Sequence, residues 1–313
     1  MIIDLCICTA NRGSYLGECL GAVAAMKGEK MHGQEVRLVI VINGGDASDV
    51  NEVQGMAATT SLAATVAHEP RRGIPYARNC AVRTAIARGA EAIAFIDDDD
   101  IPDPGWLGEL VEVANGTGAD LVLGRWRPPN GLDLPPVLTA VRFFREPDPA
   151  ATNRYGLPAW AGTFNVLMRT RLIERVCDGE AAPFDPAFAS TGGSDTDLFV
   201  RAARAGAIVR AAPRSTVVRR WEPQRISVRG VMRRAFRLGV TQAMIDSRYR
   251  DGSKNRKRLR RRLADLTAAV AGLCAVRSQA ALGAQLLRIA EISGKIHGLM
   301  GGKARYYEVG RQA

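Results

Sequence analysis

The chain has little of what a zinc site needs. Three histidines, at 32, 68 and 297, occur in 313 residues, and the six cysteines at 6, 8, 19, 80, 177 and 274 form no C-x-x-C pair. With no histidine at metal-finger spacing either, a zinc module is excluded, and the scattered histidines read as surface residues. Long apolar runs are missing too. The longest weakly polar stretch, residues 263–276, contains Asp265 and ends at Arg277, short of the roughly 20 residues a spanning helix needs. A basic leader followed by an apolar run is absent from Met1-Ile-Ile-Asp-Leu, so the opening reads as a strand and the chain as cytoplasmic with reduced thiols. No internal repeat or low-complexity linker interrupts it. With 47% hydrophobic and 24% charged residues, wholesale disorder is excluded and one large domain or two small ones fit the length.

Negative charge is scarce in one place only. Residues 201–262 hold 20 Lys and Arg against three acids, a net +17, while the other 23 bases and 29 acids leave the rest of the chain at −6. The overall +11 therefore describes a mildly acidic body with a basic band late in the sequence.

Apolar runs at Ile2–Cys8, Arg37–Ile42 and Ala92–Ile96 predict strands, and the spacing over Tyr15–Met26 and Ala77–Arg88 predicts helices between them. Such alternation argues for a mainly parallel sheet covered on both faces, with ligands at the carboxyl ends of its strands. After Ile96 stand Asp97-Asp98-Asp99-Asp100. Carboxylates two apart on an extended chain point the same way, so Asp97 and Asp99 can share one ligand, and hard oxygen donors suit Mg or Mn. A solvated acidic turn before Pro102 is the alternative, and placement directly after an apolar strand favours the ligand. In Arg71-Arg72-Gly73-Ile-Pro-Tyr-Ala77-Arg78-Asn79, Arg78 near the positive end of a helix points to an anion, with a solubilising surface arginine as the equal alternative. In Gly192-Gly193-Ser194-Asp195-Thr196-Asp197-Leu198, Asp195 opens a helix that runs to Gly206 and is either its cap or, beside a metal-diphosphate site, a base.

In order and spacing these clusters, with Ile7-Cys8-Thr9-Ala10-Asn11-Arg12, Val41-Ile42-Asn43-Gly44, Pro102, Trp106-Leu107 and Arg201, resemble the family 2 glycosyltransferases, inverting enzymes of the GT-A fold. The resemblance runs from residue 3 to about residue 240. It implies an α/β fold with a Rossmann-like, mainly parallel sheet, helices on both faces and a C-terminal helical extension. Residues 1–245 would be the catalytic domain, with 1–100 its nucleotide-binding half and 101–245 its sugar and acceptor half, and 246–313 the basic extension. Thr9, Ala10, Arg12, Asn43 and Arg78 would contact the nucleotide of a UDP-, GDP- or dTDP-linked sugar. Asp97 and Asp99 match the D-x-D that holds Mn or Mg, with Asp99 closest to the metal and Asp97 and Asp98 toward the ribose. Asp195 matches the general base that takes a proton from a hydroxyl of a glycan or lipid-linked glycan acceptor. Trp160, Gly162, Asn165, Gly193 and Asp197 fall where relatives build the sugar or acceptor pocket. Three departures stand out: Ser194 replaces the acid before the base, Ile42 replaces the acid before Asn43, and no histidine lies near Val217–Trp221. Arg219 or Arg220 is therefore expected to clamp the diphosphate.

Two rival functions meet opposing features. A sugar nucleotidyltransferase would begin with a glycine-rich phosphate loop, and Thr9-Ala-Asn-Arg-Gly-Ser is poor in glycine. A catalytically inactive membrane- or glycan-binding homologue would lack Asp195 or the acidic run, and both are present. Within the basic band, Val228, Met232, Phe236 and Val240 recur every fourth residue beside Arg229, Arg233 and Arg237, and Arg248–Arg262 is denser still. Only Tyr249 accompanies it, which disfavours nucleic acid. Contact with an anionic membrane surface at the inner face is the favoured reading, and the helical stretch Leu263–Ile292 suits a bundle, a dimer contact or the membrane equally.

Overall fold

The computed structural model describes residues 1–10, 13–26, 33–46, 49–177, 179, 181–221, 225–250 and 255–304. Two compact units divide the chain. The first comprises Met1–Pro129, Glu146–Ala189 and Ser194–Arg220, the second Asn130–Arg145, Ser190–Gly193 and Trp221–Ala313.

The first unit is built on β1 (Ile2–Thr9), β2 (Glu35–Asn43), β3 (Ala64–Glu69), β4 (Ala92–Asp97), β5 (Asp100–Pro102), β6 (Leu121–Arg127), β7 (Asn165–Arg169) and β8 (Val209–Arg219). They form one sheet in the order β3-β2-β1-β4-β7-β6-β8-β5. The β3-β2-β1-β4 half is parallel, with α1 (Gly13–Ala25), α2 (Asp49–Ala58) and α3 (Ile74–Ala87) in its crossovers, as the alternating pattern requires. β7 then joins antiparallel to β4 and β6, and β5 pairs antiparallel with β8. This mixed half, with α4 (Trp106–Thr117), α5 (Thr170–Val176) and α6 (Ser194–Arg204), makes the sheet mostly rather than wholly parallel.

Burial explains which strands were visible as apolar runs. β1, β2 and β4 are central and mostly buried, whereas edge strand β3 is half exposed along most of its length and reads Ala-Thr-Val-Ala-His-Glu. The one acid inside β1, Asp4, is fully buried and lies opposite Arg37 of β2, whose Nε donates to Oδ1 at 2.8 Å. All six cysteines are free.

The second unit holds α7 (Val228–Tyr249), α8 (Asn255–Ala271) and α9 (Gln279–Leu299). α7 and α9 approach closely because glycines remove the side chains between them. A Cβ on Gly239 would strike the Glu291 carbonyl, and one on Gly294 the Phe236 carbonyl. The helical stretch expected over Leu263–Ile292 is two helices: α8 ends into a 3-10 turn at Gly272–Ala275, and Ser278 caps α9 by accepting from the Ala281 amide at 3.2 Å. Among the described residues, no helix is long and apolar enough to cross a membrane.

Candidate active site

β4 delivers its carboxylates to the end of the sheet where β1 and β2 also terminate. Asp97 closes β4, Asp98 and Asp99 form the turn, and Asp100 opens β5. Asp97, Asp99 and Asp100 each offer an oxygen within 4.8 Å of the others. Three hard, clustered carboxylate oxygens are the donor set that Mg or Mn takes, with open positions left for water or phosphate, so these residues fit the divalent cation expected here.

Arginines compensate part of this charge. Asp100 stands directly opposite Arg219 in the β5–β8 ladder, and the guanidinium donates to both its oxygens, at 3.3 Å from Nε and 3.0 Å from Nη2. The same Nη2 lies 3.5 Å from Asp97, whose other oxygen is 3.4 Å from Nη2 of Arg78. Burial dominates the protonation of Asp100, pushing it up to about 7 against the pull of Arg219. For Arg219 burial works against the charge, but Asp100 and Asp97 overcome it and raise the guanidinium above its ordinary value. The Arg219 guanidinium also lies 4.0 Å above the Phe164 ring, with Trp126 at 5.9 Å.

Phe164 connects this cluster to Asp195. A Cβ on Gly162 would come within 2.6 Å of the Phe164 ring and 3.5 Å of Asp195 Oδ2, so a bare backbone separates ring and carboxylate. Asp195, on the first turn of α6, is oriented through Oδ1, which accepts from the Thr196 amide at 2.7 Å and its hydroxyl at 3.4 Å. Oδ2 has no hydrogen-bond partner among the described residues and faces the Gly162 gap.

The other expected residues divide into those that face the site and those that brace it. Thr9 is 2% exposed and its hydroxyl has no hydrogen-bond partner among the described residues, an orphaned buried group of the kind a ligand satisfies. Ala10 beside it is exposed, and Arg12 lies outside the described residues. Burial pushes the neighbouring Cys8 thiol up to about 12, which removes it as a nucleophile. Asn43 is a loop clamp: its amide donates to the Arg71 carbonyl at 2.7 Å, and its oxygen accepts from the Gly73 amide at 2.9 Å where φ is 136°. Asp98, in the turn itself, is buried.

Asn165 is fully buried and spent on structure. Its oxygen accepts from Trp106 Nε1 at 2.7 Å, and its amide donates to the Arg125 and Ser215 carbonyls at 2.8 and 3.0 Å, pinning the bulge after Gly124. Trp160 likewise commits its indole N–H to the Gly124 carbonyl at 3.0 Å. Asp197 is fully buried with Arg201 Nε at 3.0 Å. These three are the residues expected in the sugar or acceptor pocket, and in the structure these polar atoms are bonded within the fold. Gly193, with φ 99°, belongs to the second unit. Arg220 turns to Glu18 and the Tyr15 ring, leaving Arg219 as the arginine of the pair at the acidic cluster. Phe164 and the Asp100–Arg219 pair had no local signal, since their roles arise from pairing across distant strands.

Comparison with known proteins agrees with this geometry. Residues 4–169 match Glycosyl transferase family 2. The succinoglycan biosynthesis protein ExoM of Rhizobium meliloti (strain 1021) is 30% identical over 246 residues, covering 76% of this chain and 73% of ExoM. Among solved structures, the mannosyltransferase PcManGT from Pyrobaculum calidifontis, in complex with GDP-Man and Mn2+, superposes with a TM-score of 0.62 at 18% identity over 96% of this chain and 87% of that one. TarS of S. aureus superposes at 0.51 and 15% identity over 96% of this chain, which spans 55% of the TarS chain. The two structures share the fold, and the match over more than half of the sequence together with ExoM decides the lineage: the chain belongs to glycosyl transferase family 2 and is a glycosyltransferase.

Proposed function

We propose that this enzyme moves a sugar from a nucleotide-sugar donor to a hydroxyl of a glycan or lipid-linked glycan, with inversion at the anomeric carbon. The observation that carries the reading is Asp195 Oδ2, unengaged and facing a side-chain-free gap at Gly162 that leads through Phe164 and Arg219 to the Asp97–Asp100 cluster. Oδ1 is anchored by Thr196, so the free oxygen is oriented to accept the proton of an acceptor hydroxyl as that oxygen attacks the sugar. Asp97 and Asp99 would hold a divalent cation, which when bound supplies electrostatic stabilisation of the departing diphosphate. Thr9 and Arg78 line the nucleotide side, and Arg219 supplies positive charge next to the diphosphate. PcManGT, crystallised with GDP-Man and Mn2+, supports a nucleotide-sugar donor and this cation, and ExoM supports a polysaccharide product.

The test is incubation with UDP-, GDP- and dTDP-sugars and Mn²⁺. Release of nucleoside diphosphate is expected, pyrophosphate would indicate a nucleotidyltransferase, and neither product would indicate a binding protein. Asp195→Asn should lower transfer by roughly 10²–10⁴-fold and spare donor binding, and a near-normal rate would remove Asp195 from the role.

We further propose that residues 246–313 extend the catalytic domain 1–245 and bring it to an anionic membrane surface. On α8, Leu263 and Val270 are 48% and 49% exposed and seven residues apart, on one side of the helix, while Arg256, Lys257, Arg260 and Arg261 are exposed around it. Residues 251–254 of the basic band lie outside the described residues. Sedimentation with phosphatidylglycerol vesicles should be strong and salt-sensitive, and binding indifferent to anionic lipid would overturn the idea.

A further inference from the structure

The reading of Asp97 and Asp99 as a cation site meets a conflict: two arginines already touch Asp97. Arg78 Nη2 approaches Oδ1 at 3.4 Å and Arg219 Nη2 approaches Oδ2 at 3.5 Å. They differ in what else holds them. Arg219 also has the buried Asp100 at 3.0 Å and the face of Phe164 at 4.0 Å, so it can release Asp97 and still be held by the Asp100 side chain and a ring. A guanidinium and a metal ion drawn to the same carboxylate oxygen repel each other at that short range.

We propose that Arg219 is the resident counter-ion of the carboxylate cluster, and that a divalent cation competes with it for Asp97. Arg219 thereby sets how tightly the site takes metal. It acts as a positioning residue: with no cation bound it keeps three neighbouring carboxylates from repelling one another, and once a cation binds, its freed charge lies beside the cluster. Because the two compete for one carboxylate, whatever weakens Arg219's hold on Asp97 strengthens cation binding, by at most the same factor. Phe164 and Asp100 are the parts that make the exchange reversible.

The experiment measures Mn²⁺ dissociation constants for the full-length chain by electron paramagnetic resonance of the free ion, in wild type, Arg219→Gln and Arg219→Lys. Arg219→Gln is expected to bind Mn²⁺ at least tenfold more tightly. Arg219→Lys, which keeps a charge but lacks the planar fork and the ring stack, is expected to bind a few-fold more tightly. A merely structural role for Arg219 would weaken binding through local damage, so the direction of the change discriminates. Should Arg219→Gln fail to fold because buried Asp100 loses its partner, Arg219→Lys alone decides. Unchanged or weaker affinity in the folded variants overturns the counter-ion role and leaves the cation site standing, and no Mn²⁺ binding in any of the proteins overturns both.

Discussion

Asp100 and Arg219 are 119 residues apart in the chain and face each other across the β5–β8 ladder, joined by two hydrogen bonds. The pair places a guanidinium beside the acidic run and, through the ring of Phe164, links the carboxylates to the neighbourhood of Asp195. It is also the point where burial and charge pull in opposite directions.

That opposition has a pH signature. The buried Asp100 carboxyl is pushed from 3.8 to about 7, so the folded protein keeps a proton that the unfolded chain releases over this window. The contribution is fully present below about pH 4 and is lost as pH rises through about 7, because the native state binds more protons. Urea unfolding at pH 5 and pH 8 should show a larger loss of stability on going to pH 8 in wild type than in Asp100→Asn. Equal differences in the two proteins would count against the assignment.

Gly162→Ala should act on the reaction more than on the fold. Its new Cβ would lie 2.6 Å from the Phe164 ring and enter the gap in front of Asp195. Overpacking of this kind costs about 1–3 kcal/mol, while the displaced ring loosens Arg219. Nucleoside diphosphate release is expected to fall at least tenfold, with a thermal melt that remains cooperative.

Asn165→Ala tests whether that residue is a frame element. It would leave Trp106 Nε1 and the carbonyls of Arg125 and Ser215 without their partner, at about 1–3 kcal/mol for each buried group left unsatisfied. Chemical denaturation should show a loss of several kcal/mol. A variant as stable as wild type but selectively defective in KM would instead return Asn165 to the substrate pocket.

Gly294→Ala addresses the second unit. The added methyl would run into the Phe236 carbonyl where α7 and α9 meet, and a backbone obstacle cannot rotate away as a side chain can. Amide exchange in α7 and α9 should accelerate by tenfold or more, measured by mass spectrometry, while exchange in β1 and β4 stays as in wild type.

Much of the first unit was legible because its strands are buried on both faces, so β1, β2 and β4 appear as continuous apolar runs that end at turn signals. β3 escaped notice as a half-exposed edge strand. The acidic run was legible because four adjacent carboxylates after a strand have few purely structural explanations. Trp160, Asn165 and Asp197 are expected in a pocket by position, and the structure adds that each has polar atoms bonded within the fold. Position along the chain does not say which way a side chain faces, or whether a backbone carbonyl waits for it.

By itself, then, the sequence determined the alternating strands and helices, the family motifs in their order, the carboxylates at the end of β4 and the basic late band. These are local properties, set by periodicity and by neighbours a few residues apart. Tertiary structure alone decided that Asp100 meets Arg219, that Phe164 lies beneath that arginine and that Gly162 opens a gap before Asp195. Those relations depend on ladder register and on the bulge at Gly124, which bring together residues 33 to 119 positions apart in the chain.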